Sequence, residues 1–259
     1  MLLEVKDLNI SLTSEKSVAE HISFRLGQGE MLSIVGSSGA GKTTICKAIM
    51  GLLGNAYRAD GEILFQGEDL LDLPERKRQT IYGKEICLIM QNPMTAFNPS
   101  IRVGRQMEKT YLLHHGKTPR QEMQRLFAAI LQKLGLEDTQ RILNSYPFTL
   151  SGGMLQRLMI AAALICQPAL LVADEATTAI DACNRIGLMR ELKSFCKDGM
   201  SVLFVTHDLR SASVSDRILV MDRGQIVEQG KTEQILNTPK EDYTKYLLNA
   251  CRLERREMS

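Results

Sequence analysis

Eight consecutive residues near the N-terminal end of the chain have the types and the spacing that bind nucleotide phosphates. They are Gly36, Ser37, Ser38, Gly39, Ala40, Gly41, Lys42 and Thr43, and they match the pattern G-x-x-x-x-G-K-[ST]. Glycines at these positions permit a tight turn in which several backbone N–H groups point at one anion. The positive end of the dipole of the following helix adds to that attraction. We call this segment the phosphate loop.

The last residues of the phosphate loop have the side chains that a bound nucleoside triphosphate needs. Lys42 is expected to reach the β- and γ-phosphates, which makes it a catalytic residue, and the Thr43 hydroxyl is expected to bind Mg²⁺. Thr44 follows directly and is expected to contact the nucleotide as well. The alternative is a Gly-rich turn without function, but an apolar strand pattern before the loop and a helical pattern after it favour nucleotide binding.

Two adjacent carboxylates, Asp174 and Glu175, follow the apolar run 170–173. Such a run predicts a buried strand, and the carboxyl end of a strand in a parallel sheet is where nucleotides bind. Asp174 is suited to the Mg²⁺ shell. Glu175 is suited to orient and deprotonate an attacking water, a step that typically contributes about 10²–10⁴-fold to a rate. Alone, these residues could simply end a strand, but together with the phosphate loop they predict hydrolysis.

Three further candidates are weak when each is considered alone. Ser151 can cap a helix, and Gly152 and Gly153 permit a ligand to approach the backbone closely, although a plain helix start explains them equally well. Gln91 and His207 each follow an apolar strand pattern. A loop glutamine and a hydrogen-bonded histidine at a strand end are the alternatives for these two residues.

Strand and helix patterns alternate along the chain and predict the frame that positions these residues. Strands are predicted at 3–12, 22–26, 31–35, 62–66, 86–90, 169–174 and 201–206, and helices at 43–52, within 102–144, and at 158–166, 181–196 and 241–259. This alternation favours a mostly parallel sheet that is covered by helices on both faces.

The overall composition argues against several other classes of protein. The net charge of +2 does not indicate a basic surface, so no nucleic-acid partner is expected. The most apolar stretch, 158–173, is interrupted by Gln167 and Pro168, whereas a membrane span needs about 20 apolar residues. The N-terminal segment contains acids and does not resemble a signal peptide. The six cysteines include no C-x-x-C pair, which argues against a zinc or iron–sulfur site. We therefore expect a cytoplasmic chain.

Taken in order, the motifs resemble those of the nucleotide-binding subunits of ABC transporters over essentially the whole chain. The matching segments are the phosphate loop, Gln91 as the Q-loop glutamine, 150–154 as the signature motif, Asp174 and Glu175 as the Walker B pair, Ala179-Ile180-Asp181 as the D-loop and His207 as the switch histidine. None of the later motifs is specific alone, but their common order leaves little room for coincidence.

The resemblance implies an α/β fold of the P-loop NTPase class. It has a mostly parallel sheet core, N-terminal antiparallel strands and an inserted helical subdomain. We expect a single ABC ATPase domain over residues 1–259. Residues 1–95 and 158–240 would form the ATP-binding core, about 96–157 the helical subdomain with the signature motif, and 241–259 a C-terminal amphipathic helix.

The resemblance also implies that two nucleotide-binding subunits enclose two ATP molecules between them. Ser151, Gly152 and Gly153 would then contact the γ-phosphate of the ATP that is held by the partner subunit. A second helix N-terminus directed at the same anion is physically reasonable.

Other residues would complete the site within one chain. His207 would contact the γ-phosphate and hold Glu175 and the water in place, and Asp181 would contribute to nucleotide binding. The expected Mg²⁺ ligands are Thr43, Gln91 and Asp174. The expected cofactors are accordingly ATP and Mg²⁺.

Two segments resemble the oligopeptide, dipeptide and nickel importer branch of the family. They are Met154 followed by Gln156-Arg157, and the run 91–99 after the Q-loop glutamine. The short tail after residues 243–248, and Tyr146-Pro147-Phe148 ahead of the signature, look more like the nickel-importer ATPases. Nickel or a related metal chelate is therefore favoured over peptides as the cargo.

Some positions depart from the family pattern. Ala176 replaces the usual proline after Glu175, and Ile180 replaces the usual leucine of the D-loop. No aromatic residue that could stack on adenine precedes Phe24, so aliphatic groups such as Leu12 or Val18 are expected to contact the base.

The resemblance implies several partners for an importer ATPase on the cytoplasmic face of the membrane. They are a second ATPase subunit with a different sequence, two membrane permease subunits and an extracytoplasmic substrate-binding protein. Exporters, ribosome- or DNA-acting ABC proteins and silent subunits are the alternatives. Exporters often fuse a membrane domain to the chain, and the ribosome- or DNA-acting proteins usually carry two ATPase domains or a long coiled coil. Silent subunits are disfavoured by the intact set Lys42, Asp174, Glu175 and His207.

Overall fold

Two β-sheets and the helices around them form the fold in the computed structural model, which describes residues 1–90, 92–175 and 182–257. The strands are β1 (Leu3–Leu12), β2 (Ser17–Leu26), β3 (Met31–Gly36), β4 (Tyr57–Phe65), β5 (Glu68–Asp69), β6 (Ile86–Ile89), β7 (Leu170–Asp174), β8 (Ser201–Thr206), β9 (Arg217–Asp222) and β10 (Gln225–Lys231). The helices are α1 (Lys42–Ile49), α2 (Glu75–Ile81), α3 (Val103–His115), α4 (Arg120–Lys133), α5 (Thr139–Asn144), α6 (Gly152–Leu164), α7 (Ala182–Cys196), α8 (Leu209–Ala212), α9 (Thr232–Asn237) and α10 (Asp242–Glu257).

The smaller sheet is antiparallel and has the strand order β2-β1-β4-β5. Alternate residues of β1 are buried, as its apolar–polar alternation predicts. The pairing of β1 with β2 shifts register between Val5 and Leu8, next to Asp7, which has a φ of 45°. A bulge of this kind twists the strand, and a hydrogen bond from the Glu20 N–H to the Gly224 carbonyl (2.8 Å) joins the sheet to the turn between β9 and β10.

The larger sheet has the order β10-β9-β3-β8-β7-β6. Strands β6, β7, β8, β3 and β9 pair in parallel, and β10 is antiparallel to β9. Every residue of β3 and of β8 is buried, as expected for strands that are covered on both faces. The parallel pairing places Gly36, Asp174 and Thr206, the last residues of β3, β7 and β8, at one edge of the sheet.

Helices α3, α4 and α5 lie between β6 and α6 in the chain and form the helical region. Their buried side chains belong to the same apolar cluster as residues of α6, α7 and β7. Helix α6 begins at Gly152, so the expected helix start at residue 158, and the boundary of the core placed there, fall inside this helix. Within the described residues, no helix combines the length and the apolar character that a membrane span needs.

The predicted fold class is confirmed, although several elements were not predicted. No prediction covered α2, β5, α8, β9, β10 or α9. Strand β4 begins at Tyr57 rather than at residue 62, because pairing with β1 (Leu12 opposite Tyr57) extends it through the polar segment 58–62. That segment has no alternation of apolar residues, so tertiary pairing rather than local pattern determines the start of the strand.

Candidate nucleotide site

Close backbone packing explains two glycines of the phosphate loop. A Cβ atom on Gly36 would lie 2.2 Å from the Met221 carbonyl oxygen of β9. Gly41, directly before α1, has a φ of 93°, and a Cβ atom there would lie 2.7 Å from the Val18 carbonyl oxygen. The loop is thus held between β9 and β2 in a conformation that other residues cannot adopt without strain.

The loop presents an open face ahead of the N-terminus of α1. Ser37, Ser38, Gly39 and Thr43 are exposed, Thr44 is partly buried, and Ala40 is packed into the core below. An open turn of backbone N–H groups at a helix start attracts anions. The arrangement fits the triphosphate that the sequence predicts.

The Lys42 side chain is buried and hydrogen-bonded to the phosphate loop. Its Nζ atom donates hydrogen bonds to the carbonyl oxygens of Gly36 (2.8 Å) and Ser37 (2.7 Å). Burial lowers the pKa of Lys42, and the carboxylates of Glu175 and Asp174 act in the opposite direction. An ammonium has three donors, so these two bonds orient the group and leave one donor for a phosphate oxygen.

Thr43 and Asp174 meet at the carboxyl end of β7. The Thr43 hydroxyl donates a hydrogen bond of 3.2 Å to Oδ1 of Asp174. Burial raises the pKa of Asp174, while the hydrogen bond from Thr43 acts to lower it. A hydroxyl and a carboxylate side by side beside a phosphate site are hard oxygen ligands of the kind that Mg²⁺ prefers, so these two residues fit the predicted ion.

Glu175 and His207 form the second pair at this edge of the sheet. Nδ1 of His207 lies 3.2 Å from Oε1 of Glu175. Glu175 has a left-handed backbone conformation with a φ of 48°, and its N–H donates to the carbonyl oxygen of Val205 at 2.8 Å. A non-glycine residue in this conformation costs about 1–2 kcal/mol. Such strain is common where a side chain must be directed into a site.

A network that the sequence did not predict positions the segment around His207. The Asp208 N–H donates a hydrogen bond to the Thr206 hydroxyl (3.0 Å). The Asp208 carboxylate accepts a hydrogen bond from the Arg210 N–H, and Asp208 thereby caps the N-terminus of α8. The same carboxylate lies 3.1 Å from a guanidinium nitrogen of Arg185 in α7. The sequence could have identified Asp208 as a potential N-cap of a helix. It gave no indication of the contact with Arg185, because that residue is distant in sequence.

Ser151 caps α6, and no close contact among the described residues requires the two glycines after it. The Ser151 hydroxyl accepts a hydrogen bond of 3.3 Å from the Met154 N–H. Among the described residues outside their own helix, none has an atom within 4 Å of a Cβ atom placed on Gly152 or Gly153. Among the described residues, no hydrogen bond joins 151–153 to the phosphate loop. The structure therefore does not bring these predicted residues to the loop of their own chain.

Some predicted residues lie outside the part of the chain that the structure describes. They are Gln91, Ala176 and the D-loop residues Ala179, Ile180 and Asp181. For the adenine base, Val18 borders the phosphate loop through its carbonyl group. Leu12, the last residue of β1, lies at the same end of the β1–β2 hairpin, where Ser11 pairs with Ser17.

Comparisons with known proteins agree on one family. Residues 19–178 match the profile of the family described as ABC transporter. The metal-staphylopine import system ATP-binding protein CntD of Staphylococcus aureus is 41% identical over 251 residues, which are 96% of this chain and 92% of that one. The oligopeptide transport ATP-binding protein OppD of Bacillus subtilis is 41% identical over 254 residues, 95% of this chain and 71% of that one.

A solved structure extends this likeness to three dimensions. The dimeric structure of a post-hydrolysis state of the ATP-binding cassette MJ0796, bound to ADP and Pi, superposes with a TM-score of 0.78 and 26% identity. The match covers 89% of this chain and 99% of that chain.

Proposed function

The chain belongs to the ABC transporter family and is the ATPase of an importer, and we propose that the cargo of this importer is nickel or a related metal chelate. The observation that supports ATP hydrolysis at the candidate site is the meeting of three groups at one edge of the sheet. These groups are the Lys42 ammonium, the Thr43–Asp174 pair and the Glu175–His207 pair.

We assign the residues of the chain roles in binding ATP. Lys42 and the loop N–H groups bind the phosphates, and Thr43, Asp174 and Gln91 hold Mg²⁺. When bound, Mg²⁺ neutralises charge on the phosphate oxygens. The glycine cradle at Gly36 and Gly41 supports the first role, and the short contact between Thr43 and Asp174 supports the second.

Hydrolysis then depends on Glu175. Its carboxylate orients a water molecule and accepts the proton as the water attacks the γ-phosphate. His207 holds that carboxylate through the contact of 3.2 Å and would also contact the γ-phosphate. The left-handed backbone at Glu175 supports this role, because it directs the side chain away from the strand and towards His207.

A second ATPase subunit completes each site in this proposal. Gly152 and Gly153 have no close contact beyond their own helix among the described residues, which suits the close approach of ATP held by a partner. The cassette MJ0796 is dimeric in its ADP-bound structure. We propose a partner ATPase of different sequence, with Asp181 near the shared nucleotide, on the cytoplasmic face of the membrane beside two permease subunits and an extracytoplasmic binding protein.

The support for the proposed cargo comes from the relatives, because an ATPase subunit does not need to contact the cargo. The likeness to CntD, named for metal-staphylopine import, supports a metal chelate. The likeness to OppD, named for oligopeptide transport, supports a peptide as the second candidate at the same identity.

Uptake by cells that carry this transport system distinguishes the two cargoes. Labelled nickel and a labelled dipeptide are supplied side by side to cells with the wild-type chain or with Glu175→Gln, after deletion of redundant systems. We expect wild-type cells to take up nickel, variant cells to lose that uptake, and dipeptide uptake to be the same in both strains. Loss of dipeptide uptake alone would contradict the nickel proposal and support the peptide alternative. Survival of both uptakes would contradict the coupling of Glu175 to import.

A further inference from the structure

The C-terminal helix α10 contacts the phosphate loop, and we propose that Tyr243 is a positioning residue for nucleotide binding. The hydroxyl of Tyr243 accepts a hydrogen bond of 3.1 Å from the Ser37 N–H. This inference rests on the proposed function, because it assigns Tyr243 to the same nucleotide site. Tyr243 need not touch the nucleotide, since it acts through Ser37.

Ser37 links Tyr243 to the catalytic lysine. Its N–H donates to Tyr243, and its carbonyl oxygen accepts a hydrogen bond of 2.7 Å from Nζ of Lys42. Ser37 is exposed and follows Gly36 directly, so packing in the core does not hold it. The tyrosine hydroxyl therefore holds the peptide group between Gly36 and Ser37. The next peptide group carries the Ser37 carbonyl oxygen that orients the Lys42 ammonium.

The residues directly before α10 are hydrogen-bonded to β10, which anchors the start of the helix that carries Tyr243. The carboxylate of Glu228 in β10 accepts hydrogen bonds from the N–H groups of Lys240 (2.8 Å) and Glu241 (3.2 Å). Burial acts to raise the pKa of Glu228, but these and other hydrogen bonds to the carboxylate lower it overall. A carboxylate at this end of a helix is also favoured by the helix dipole.

The apolar face of α10 packs against the strand that leads into the phosphate loop. Tyr243, Leu247, Leu248 and Cys251 pack against a cluster that includes Val35, Ile218 and Val220. Val35 immediately precedes Gly36. Helix α10 thus packs on the cluster that includes the last residue before the phosphate loop, and it is bonded to the loop itself through the Tyr243 hydroxyl.

The same helix is also bonded to the segment that follows the switch histidine. A guanidinium nitrogen of Arg210 in α8 donates a hydrogen bond of 2.5 Å to the carbonyl oxygen of Cys251. Arg210 lies in the first turn of α8, whose N-cap Asp208 follows His207 directly. Helix α10 is therefore hydrogen-bonded both to the phosphate loop and to the helix that follows His207.

A purely structural role for Tyr243 would require only its ring, whereas positioning of the loop requires its hydroxyl. The variant Tyr243→Phe removes the hydroxyl and keeps the ring. Tyr246→Phe is the matched control, because Tyr246 lies on the same helix, is 66% exposed and has no bond to the loop among the described contacts. The two variants make the same chemical change in the same helix.

The test is an equilibrium titration of the full-length chain with ADP and with a non-hydrolysable ATP analogue. We expect Tyr243→Phe to weaken both affinities by about 2- to 10-fold, as the loss of one neutral hydrogen bond predicts. The unfolding temperature without nucleotide should stay within about 5 °C of the wild-type value, as the loss of one hydrogen bond allows. Both affinities of Tyr246→Phe should match those of the wild type.

Two outcomes would overturn the inference without touching the proposed function. In both, Lys42→Ala loses nucleotide binding. In the first, Tyr243→Phe binds as the wild type does. In the second, Tyr243→Phe and Tyr246→Phe weaken binding equally. If Lys42→Ala itself binds nucleotide normally, the phosphate-loop assignment fails, and the role of Tyr243 fails with it.

Discussion

Replacing Glu175 with glutamine is expected to lower the steady-state rate of ATP hydrolysis by about 10²–10⁴-fold. An amide has nearly the shape of the carboxylate but cannot accept the proton of the attacking water. ATP binding should persist, because the phosphate loop and the Thr43–Asp174 pair are unchanged. The contact of 3.2 Å with His207 can remain as a hydrogen bond to the amide.

The measurement is phosphate release and ATP binding by the transporter complex that contains either chain. Glu137→Gln is the matched control, because Glu137 is exposed and its side chain makes no hydrogen bond among the described contacts. The control should hydrolyse ATP at the wild-type rate. Hydrolysis by Glu175→Gln within a few-fold of that rate would exclude Glu175 as the base.

Lys42→Ala is expected to weaken ATP binding by about 10- to 100-fold, the equivalent of one charge-assisted hydrogen bond. The variant removes the ammonium that reaches the phosphates. It also leaves the carbonyl oxygens of Gly36 and Ser37 without the donor that now holds the loop. Both effects act on binding, so the loss should appear in the dissociation constants for ATP and for ADP.

Titration with each nucleotide measures this loss, and Lys109→Ala is the control. Lys109 is exposed on α3 and makes no hydrogen bond through its side chain among the described contacts. The same truncation of a helical lysine should therefore leave affinity unchanged there. Equal affinity of Lys42→Ala and Lys109→Ala would contradict the assignment of the phosphate loop.

Local pattern was sufficient to predict the strand, loop and helix that we propose bind the phosphates. The apolar run of β3, the glycine spacing and the helical period of α1 are adjacent in the chain, so the strand, the loop and the helix could be predicted together. The same holds for β7, whose apolar run ends at Asp174. In each case the residues that determine the geometry lie within a few positions of one another.

Contacts between distant segments could not be predicted. Strand β9 lies beside β3, and the carbonyl oxygen of its Met221 leaves no room for a side chain at Gly36. The two residues are far apart in sequence. The contact of Tyr243 with Ser37 joins the C-terminal helix to the N-terminal part of the chain in the same way. The tail was correctly predicted as a helix, but its local pattern does not state which surface it packs on.

The glycines of the chain show why residue type alone is ambiguous. Gly36 and Gly41 are required by backbone atoms of the same chain, whereas Gly152 and Gly153 meet no such atom in the part of the chain that the structure describes. The sequence predicts a tight turn at the first pair and the close approach of a ligand at the second, but residue type alone tests neither prediction. The structure separates a glycine that backbone contacts require from one that has no such contact among the described residues.

That two chains share each ATP site is tested most directly by the rate of ATP hydrolysis per chain in a dilution series, with the oligomeric state measured at every concentration. The shared site predicts that the purified chain alone is a poor ATPase. It also predicts that any rate per chain falls as the chain becomes monomeric. A high rate in a series that stays monomeric throughout would contradict the shared site.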